Sequence, residues 1–195
     1  MPTARKDQIF WQPGSYYHIY NRGAHGRSIF REETNYHYAL QKIKIYCREF
    51  QLGVIAYFLM PNHYHLLIRQ DGEWTAGLLP QRVFNSYSKA YNKMYAHSGT
   101  LFESRYHSRS VQDEPYLLHL CRYIHANPAR DRLVERPEYW PYSNYLEWIG
   151  EREGTLIDRA FISGCFPDPR EYAAFVHEYL DMRQMPEALK YLEDW

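Results

Sequence analysis

Two histidines, His63 and His65, stand two residues apart inside an apolar run typical of a β-strand. Because successive side chains of a strand point to opposite faces, both imidazoles are expected on one face and the apolar neighbours on the other. Neutral imidazole is a common ligand of divalent metal ions. The pattern therefore predicts half of a metal site, whose other ligands must come from elsewhere in the chain.

A second pair of polar groups, Tyr123 and Asn127, lies on a predicted helix over residues 115–127. Four residues separate the two, so one helical turn brings their side chains to the same face. The Asn127 amide oxygen would complete a His-His-Asn set of nitrogen and oxygen ligands, which suits Mg²⁺ or Mn²⁺. Two structural alternatives stay open: the histidines pack in a core, and Asn127 only caps its helix beside Pro128.

The elements that must position these groups follow the order β-α-β-β-α-β-α. A tight turn at Pro61-Asn62 makes the second and third strands a hairpin. The second strand is apolar on both faces and is expected at the centre of the sheet, whereas the polar fourth strand is expected at an edge. The last helix is expected to end before Pro128. The predicted strands are 15–21, 54–59, 63–70 and 105–111, and the predicted helices are 33–50, 81–97 and 115–127.

The fold class predicted from this order is α+β. The first six elements match a ferredoxin-like split β-α-β antiparallel sheet with helices on one face. We expect a domain over residues 15–146, an N-terminal arm over 1–14 and an acidic helical C-terminal extension over 147–195. The aromatic segment 139–145 is expected to pack back on the domain. Within the extension, helices are predicted over 170–182 and from Glu187 onwards.

The net charge of zero conceals an asymmetry along the chain. Residues 1–136 carry 18 Lys and Arg against 11 Asp and Glu, a charge of +7, and residues 137–195 carry 5 against 12, a charge of −7. A basic body can attract a polyanion. The 3 cysteines are far apart, and the sequence has neither a membrane-length apolar run nor a signal core. We therefore expect a cytoplasmic protein without disulfides or a membrane partner.

Three segments, YFLMPNHYHLL (57–67), LFESRYHS (101–108) and CRYIHANP (121–128), resemble the REP-associated tyrosine transposases, which are single-tyrosine HUH transposases. The resemblance extends over residues 15–146 and includes the strings YNRG and WPYSNY near the two ends of that range. One departure is Tyr64, which stands where the family has a bulky apolar residue.

The resemblance implies that His63 and His65 are the metal-binding pair, Asn127 is the third ligand and Tyr123 is the nucleophile. The family cleaves single-stranded DNA: the tyrosine attacks a phosphodiester, forms a 5′-phosphotyrosine link and leaves a free 3′-hydroxyl. A second strand end can then attack the link. The expected partners are single-stranded or hairpin DNA and Mg²⁺ or Mn²⁺. The protein is expected as a monomer or homodimer, with the tyrosine acting in its own subunit or in a partner.

Polar side chains near these motifs are candidates for holding DNA phosphates, and a solvated surface role is the alternative for each. They are Asn21, Arg22, Arg105, His107, Arg109 and Arg122. Two other functions stay open: a repeat-DNA-binding protein that does not cleave, and a metal-dependent hydrolase in which water attacks and Tyr123 only positions phosphate.

Overall fold

The computed structural model describes residues 9–181 and 187–192. Its centre is a four-stranded antiparallel sheet with the strand order β2-β3-β1-β4. The α+β class and the split β-α-β arrangement are therefore confirmed. The strands are β1 (Tyr16–Arg22), β2 (Leu52–Met60), β3 (His63–Gln70) and β4 (His107–Val111). The helices are α1 (Glu33–Glu49), α2 (Leu78–Met94), α3 (Glu114–Arg130), α4 (Tyr145–Trp148), α5 (Arg159–Cys165) and α6 (Pro169–Asp181), and short 3-10 helices span Ala24–Gly26, Pro137–Tyr139 and Glu187–Leu192.

The sheet separates two hydrophobic cores. On one face, α1 and α2 pack on alternate strand residues that include Tyr64 and Leu66, as predicted for β3. On the other face, α3 and α6 pack on residues that include Phe58 and Leu67. Since side chains alternate along β3, His63 and His65 belong to this second face, beneath α3.

Helix α3 begins with a well-formed cap. The Asp113 side chain accepts a hydrogen bond from the Tyr116 amide at 2.8 Å, and Pro115 lies in the first turn. The prediction that this helix ends before Pro128 was wrong, because the helix continues to Arg130. Pro128 lies in the last turn, so its missing amide hydrogen removes only one helical hydrogen bond.

Helix α2 is displaced by three residues from the predicted range of 81–97. The structure places Pro80 inside its first turn. Proline is tolerated there, because the first amide groups of a helix have no acceptor within the helix. At the other end, Ala96 has a left-handed φ of 46°, which turns the chain away from the helix axis. The predicted range of this helix began one residue after Pro80, at residue 81.

The prediction that β2 is central was wrong, because β2 forms one edge of the sheet. The aromatic segment 139–145 covers this edge, which confirms the prediction that it packs back on the domain. The Leu59 amide donates to the Tyr142 carbonyl at 2.9 Å, and the Tyr57 amide donates to Asn144 Oδ1 at 2.8 Å. Both faces of β2 are apolar because α1 packs on one face and α3 on the other. The predicted edge position of β4 is confirmed.

The two ends of the chain pack against the cores as far as they are described. Residues 1–8 of the predicted arm lie outside the described residues, and Trp11 packs on Tyr17 with ring centroids 4.4 Å apart. The predicted helix 170–182 corresponds to α6, with Met182 outside the described residues, and the segment from Glu187 forms a 3-10 helix. Within the described ranges, no helix has the length and apolar character needed to cross a membrane.

Candidate active site

His63 and His65 lie at the start of β3 with their ring centroids 5.5 Å apart. His65 is fully buried and stacks between Phe58 of β2 and Tyr20 of β1, at 4.8 and 5.2 Å. Burial lowers the pKa of His63 to about 4, and the charge of Arg22 acts in the same direction. Burial also holds the pKa of His65 well below its ordinary value. Both imidazoles are therefore neutral at pH 7, as metal ligation requires.

Tyr123 and Asn127 project from α3 towards the two histidines. The Tyr123 ring meets the His65 ring edge to face, with centroids 5.7 Å apart. The Asn127 side chain lies close enough to both residues to raise the pKa of His63 and to lower that of Tyr123. Tyr123 and Asn127 are each only 6 % exposed. The structure thus brings together, within one chain, the four side chains that the sequence analysis combined.

The Tyr123 hydroxyl is held in its protonated form. Burial raises the pKa of Tyr123, and nearby Tyr179 and Asp131 raise it further. The Asn127 side chain and the charge of Arg130 act on this pKa in the opposite direction, but their effects are smaller. A nucleophilic Tyr123 would therefore lose its proton during the attack on phosphate rather than before it.

The donor set fits a hard divalent metal ion. Asn127 Oδ1 is buried and has no hydrogen-bond partner in the described part of the chain. A buried amide oxygen in that state is costly, and a cation would satisfy it. Residues 9–181 and 187–192 hold no metal-type cluster of three or more His, Cys, Asp or Glu side chains. The candidate set here consists of two neutral imidazoles and one amide oxygen, with asparagine as its third member.

His18 contacts His65 and was given no role by the sequence analysis. Its Nε2 lies 2.7 Å from Nδ1 of His65, and its Nδ1 lies 2.7 Å from the Tyr191 hydroxyl oxygen. His63 also has a hydrogen-bond partner at its Nδ1, because Oδ1 of Asn62 lies 2.8 Å from that atom. Alternation along β1 places His18 on the same face as Tyr20, but its contact with His65 depends on the register between β1 and β3.

Of the six candidate DNA contacts, Asn21 and Arg22 lie at the end of β1 beside the histidines. Asn21 is buried, and its side chain bonds to the Ser104 carbonyl at 3.1 Å and the Arg22 amide at 2.9 Å, so it shapes the local backbone. Arg22 is partly exposed and forms a two-pronged ion pair with Glu103. His107 stacks on Tyr20 at 5.4 Å.

The other three candidates occupy different environments. Arg105 is exposed and lines an open cavity of about 1010 Å³ between α2 and the β4 side of the sheet. Arg109 is exposed and lies over the Tyr191 ring at 3.9 Å. Arg122 is 3 % exposed and packs under Phe175 of α6 at 4.3 Å. A DNA contact by Arg122 would need α6 to move away.

The fold and the site define an α+β protein with a His-x-His strand facing a Tyr-x-x-x-Asn helix. The model of the IS200-like transposase family matches residues 12–127, which is more than half of the chain. The chain therefore belongs to the IS200-like transposase family. No curated protein sequence matches it.

Solved structures agree with the fold. The structure of a REP-associated tyrosine transposase bound to a REP hairpin superposes with a TM-score of 0.65 at 15 % identity, covering 80 % of this chain and 94 % of that one. At this identity the likeness shows the fold alone. The tRNA(His) guanylyltransferase of Saccharomyces cerevisiae gives a TM-score of 0.47 at 11 % identity, covering 96 % of this chain and 80 % of that one, which is too low to support an inference.

Proposed function

We propose that this protein is a metal-dependent nuclease and strand transferase of single-stranded DNA that acts through a 5′-phosphotyrosine at Tyr123. One observation carries the proposal: the Tyr123 ring lies against the His65 ring in the same chain, and the buried Oδ1 of Asn127, one helical turn from Tyr123, has no hydrogen-bond partner among the described residues. Membership of the IS200-like transposase family supports it.

His63, His65 and Asn127 would hold Mg²⁺ or Mn²⁺. When bound, the ion would orient the scissile phosphate and offset the negative charge that develops on it. The protein's own contribution is to keep both imidazoles neutral by burial and to present the Asn127 oxygen beside them. A fixed donor set of this kind needs little rearrangement at the moment of reaction.

The proposed cleavage is a displacement at phosphorus. The Tyr123 hydroxyl oxygen forms a bond to phosphorus and loses its proton to solvent, while the bond between phosphorus and the 3′ oxygen breaks. The departing 3′ oxygen takes up a proton, which leaves a free 3′-hydroxyl and a 5′-phosphotyrosine. Attack by the 3′-hydroxyl of another strand then joins the DNA and returns Tyr123. The covalent link conserves the bond energy, so joining requires no nucleotide.

We propose single-stranded or hairpin DNA as the substrate. Arg22 lies on β1, which pairs with β3, and His107 and Arg109 lie on β4, which pairs with β1; all three side chains reach solvent. Two arginines and a histidine beside the proposed nucleophile offer charged and neutral hydrogen-bond donors that suit a phosphate backbone. The structural relative bound to a REP hairpin has the same fold.

A covalent-trapping experiment tests the proposal. End-labelled hairpin DNA with single-stranded flanks is incubated with Mn²⁺ and protein, and products are separated under denaturing conditions. Wild type should give a protein–DNA band and a shortened strand, and Tyr123→Phe should give neither. Tyr139→Phe is the matched control, because Tyr139 is an exposed tyrosine and should behave as wild type.

The other outcomes identify the alternative functions. Cleavage that persists in Tyr123→Phe without a covalent band would favour the hydrolase in which water attacks. Tight hairpin binding by wild type with no cleavage under any metal condition would favour a DNA-binding protein that does not cut.

A further inference from the structure

We infer that His18 is a positioning residue for the proposed metal site: it holds His65 in the tautomer whose Nε2 lone pair can bind a metal ion. The inference rests on the proposed function, since it assigns a role towards the same ion. His18 lies on β1 and does not belong to the His-x-His or Tyr-x-x-x-Asn pattern.

The contact is short and closed to water. His18 Nε2 lies 2.7 Å from His65 Nδ1, and both residues have 0 % of their surface exposed. The hydrogen bond therefore cannot be exchanged for one with solvent. His18 also stacks on Tyr20 at 4.6 Å, which fixes the plane of its ring. The strand pairing sets this arrangement, because β1 and β3 are adjacent and Tyr20 lies opposite His65.

The direction of this hydrogen bond decides whether His65 can bind a metal. A neutral imidazole carries one hydrogen, on Nδ1 or on Nε2. If His65 carries it on Nδ1, that atom donates to His18 Nε2, and the His65 Nε2 lone pair can face an ion. If His18 Nε2 is the donor instead, His65 Nδ1 accepts and its hydrogen must lie on Nε2, where it blocks ligation.

The surroundings of His18 can support the metal-binding direction. When His18 Nε2 accepts, the hydrogen of His18 lies on Nδ1, which is 2.7 Å from the Tyr191 hydroxyl oxygen. That oxygen can accept it, while the Tyr116 hydroxyl donates to the same atom at 2.9 Å. Each hydrogen bond of the series from His65 to Tyr191 then has one donor and one acceptor.

His63 has a comparable acceptor, which makes the arrangement of the two histidines consistent. Its Nδ1 lies 2.8 Å from Asn62 Oδ1, an oxygen that can only accept. The hydrogen of His63 is therefore on Nδ1, and Nε2 carries the lone pair. An acceptor behind each Nδ1 is the pattern that orients metal-binding histidines in general. A phenylalanine at position 18 would fill this aromatic region without the cost of burying an imidazole, so packing alone does not account for His18.

Nuclear magnetic resonance of the histidine nitrogens tests the tautomer directly in the wild-type protein. With ¹⁵N-labelled histidine and saturating Mg²⁺, we expect the hydrogen of His65 on Nδ1 and an unprotonated Nε2 on His18. A hydrogen on His18 Nε2 in the presence of bound Mg²⁺ would overturn the inference and would remove His65 Nε2 from the ligand set, whereas the role of Tyr123 is tested separately by covalent trapping. This measurement needs no variant and no DNA cleavage.

Metal affinity provides the second readout. Mn²⁺ binding, followed by electron paramagnetic resonance of the free ion, should be about 10- to 100-fold weaker in His18→Phe, the range seen when a supporting residue is lost. His18→Gln retains a carbonyl that can accept from His65 and should recover most of the affinity. Equal affinity in wild type and a folded His18→Phe would overturn the role of His18 alone. Failure of wild type to bind Mn²⁺ would overturn both this inference and the proposed function.

Discussion

The rings of Tyr123 and His65 meet edge to face within a single chain, with their centroids 5.7 Å apart. The proposed nucleophile and the proposed metal ligands therefore need no second subunit to come together. The sequence alone leaves this choice open, because a helix that follows the sheet could dock on its own sheet or on that of a partner.

Mixing two inactive variants distinguishes action within one chain from action between chains. Tyr123→Phe lacks the nucleophile, and His65→Ala lacks a metal ligand. If both groups must belong to the same chain, a mixture of the two variants should form no more covalent DNA adduct than either variant alone. Restored adduct formation in the mixture would show that the tyrosine is supplied by a partner.

Arg22 should contact DNA in competition with Glu103. Arg22→Ala is expected to weaken binding of single-stranded DNA. It should also make the slope of log K against log salt concentration shallower by about 0.7, the value for one lost phosphate contact. Glu103→Gln should strengthen binding, because it weakens the ion pair that occupies Arg22. Fluorescence anisotropy over a range of salt concentrations measures both effects. Arg170→Ala is the control, since Arg170 forms an exposed ion pair with Asp168 in the acidic part of the chain. An equal loss of DNA affinity in Arg170→Ala would contradict a specific role for Arg22.

Stability should fall with acid partly because of His125. Burial lowers the pKa of His125 to about 3, whereas an unfolded histidine has a pKa of about 6.5. Between these values the unfolded chain binds the extra proton, so stability is lost as the pH falls through this window, by roughly 1 kcal/mol per pH unit. Urea unfolding from about pH 7 to about pH 5 should therefore show a shallower loss for His125→Gln. Parallel curves for the two proteins would count against a neutral buried His125.

Asn144 should matter for stability although it lies outside the proposed site. Its fully buried side chain accepts from the Tyr57 amide, donates to the Ile55 carbonyl and bonds to His125, all within 2.8–2.9 Å. Asn144→Ala leaves these groups without their partner and should lower the free energy of unfolding by about 3 kcal/mol.

Ser143→Ala is the control for Asn144→Ala. Among the described residues, the Ser143 hydroxyl oxygen accepts one 3.3 Å hydrogen bond from the Tyr145 amide. The Ser143→Ala substitution should therefore lower the free energy of unfolding by about 1 kcal/mol or less. Chemical denaturation of both variants measures the difference. Similar losses for the two would mean that the hydrogen bonds of Asn144 contribute little.

Local patterns predicted the parts of the site that depend on one element. Alternation along β3 was enough to place His63 and His65 on one face, since a shift by one residue would exchange the faces. Helical spacing did the same for Tyr123 and Asn127 on α3. The polar character of β4 correctly indicated an edge.

Features that depend on contacts between distant segments were missed. The apolar faces of β2 suggested a central strand, but helices cover both faces of this edge strand, and Trp140 donates to the Leu59 carbonyl along its edge. Pro128 suggested a helix end, but in the last turn it removes only one hydrogen bond. The contact between His18 and His65 depends on strand order and register, which no local pattern specifies.

The two halves of the proposed site are synthesised at different times, because α2 and β4 lie between β3 and α3 in the chain. A growing chain that has released only the histidine strand from the ribosome has the proposed ion-binding pair but not yet Tyr123. Domains fold as units once their last segments are available. Under the proposed function, the capacity to cut DNA therefore arises only when synthesis has passed Asn127 and α3 has docked.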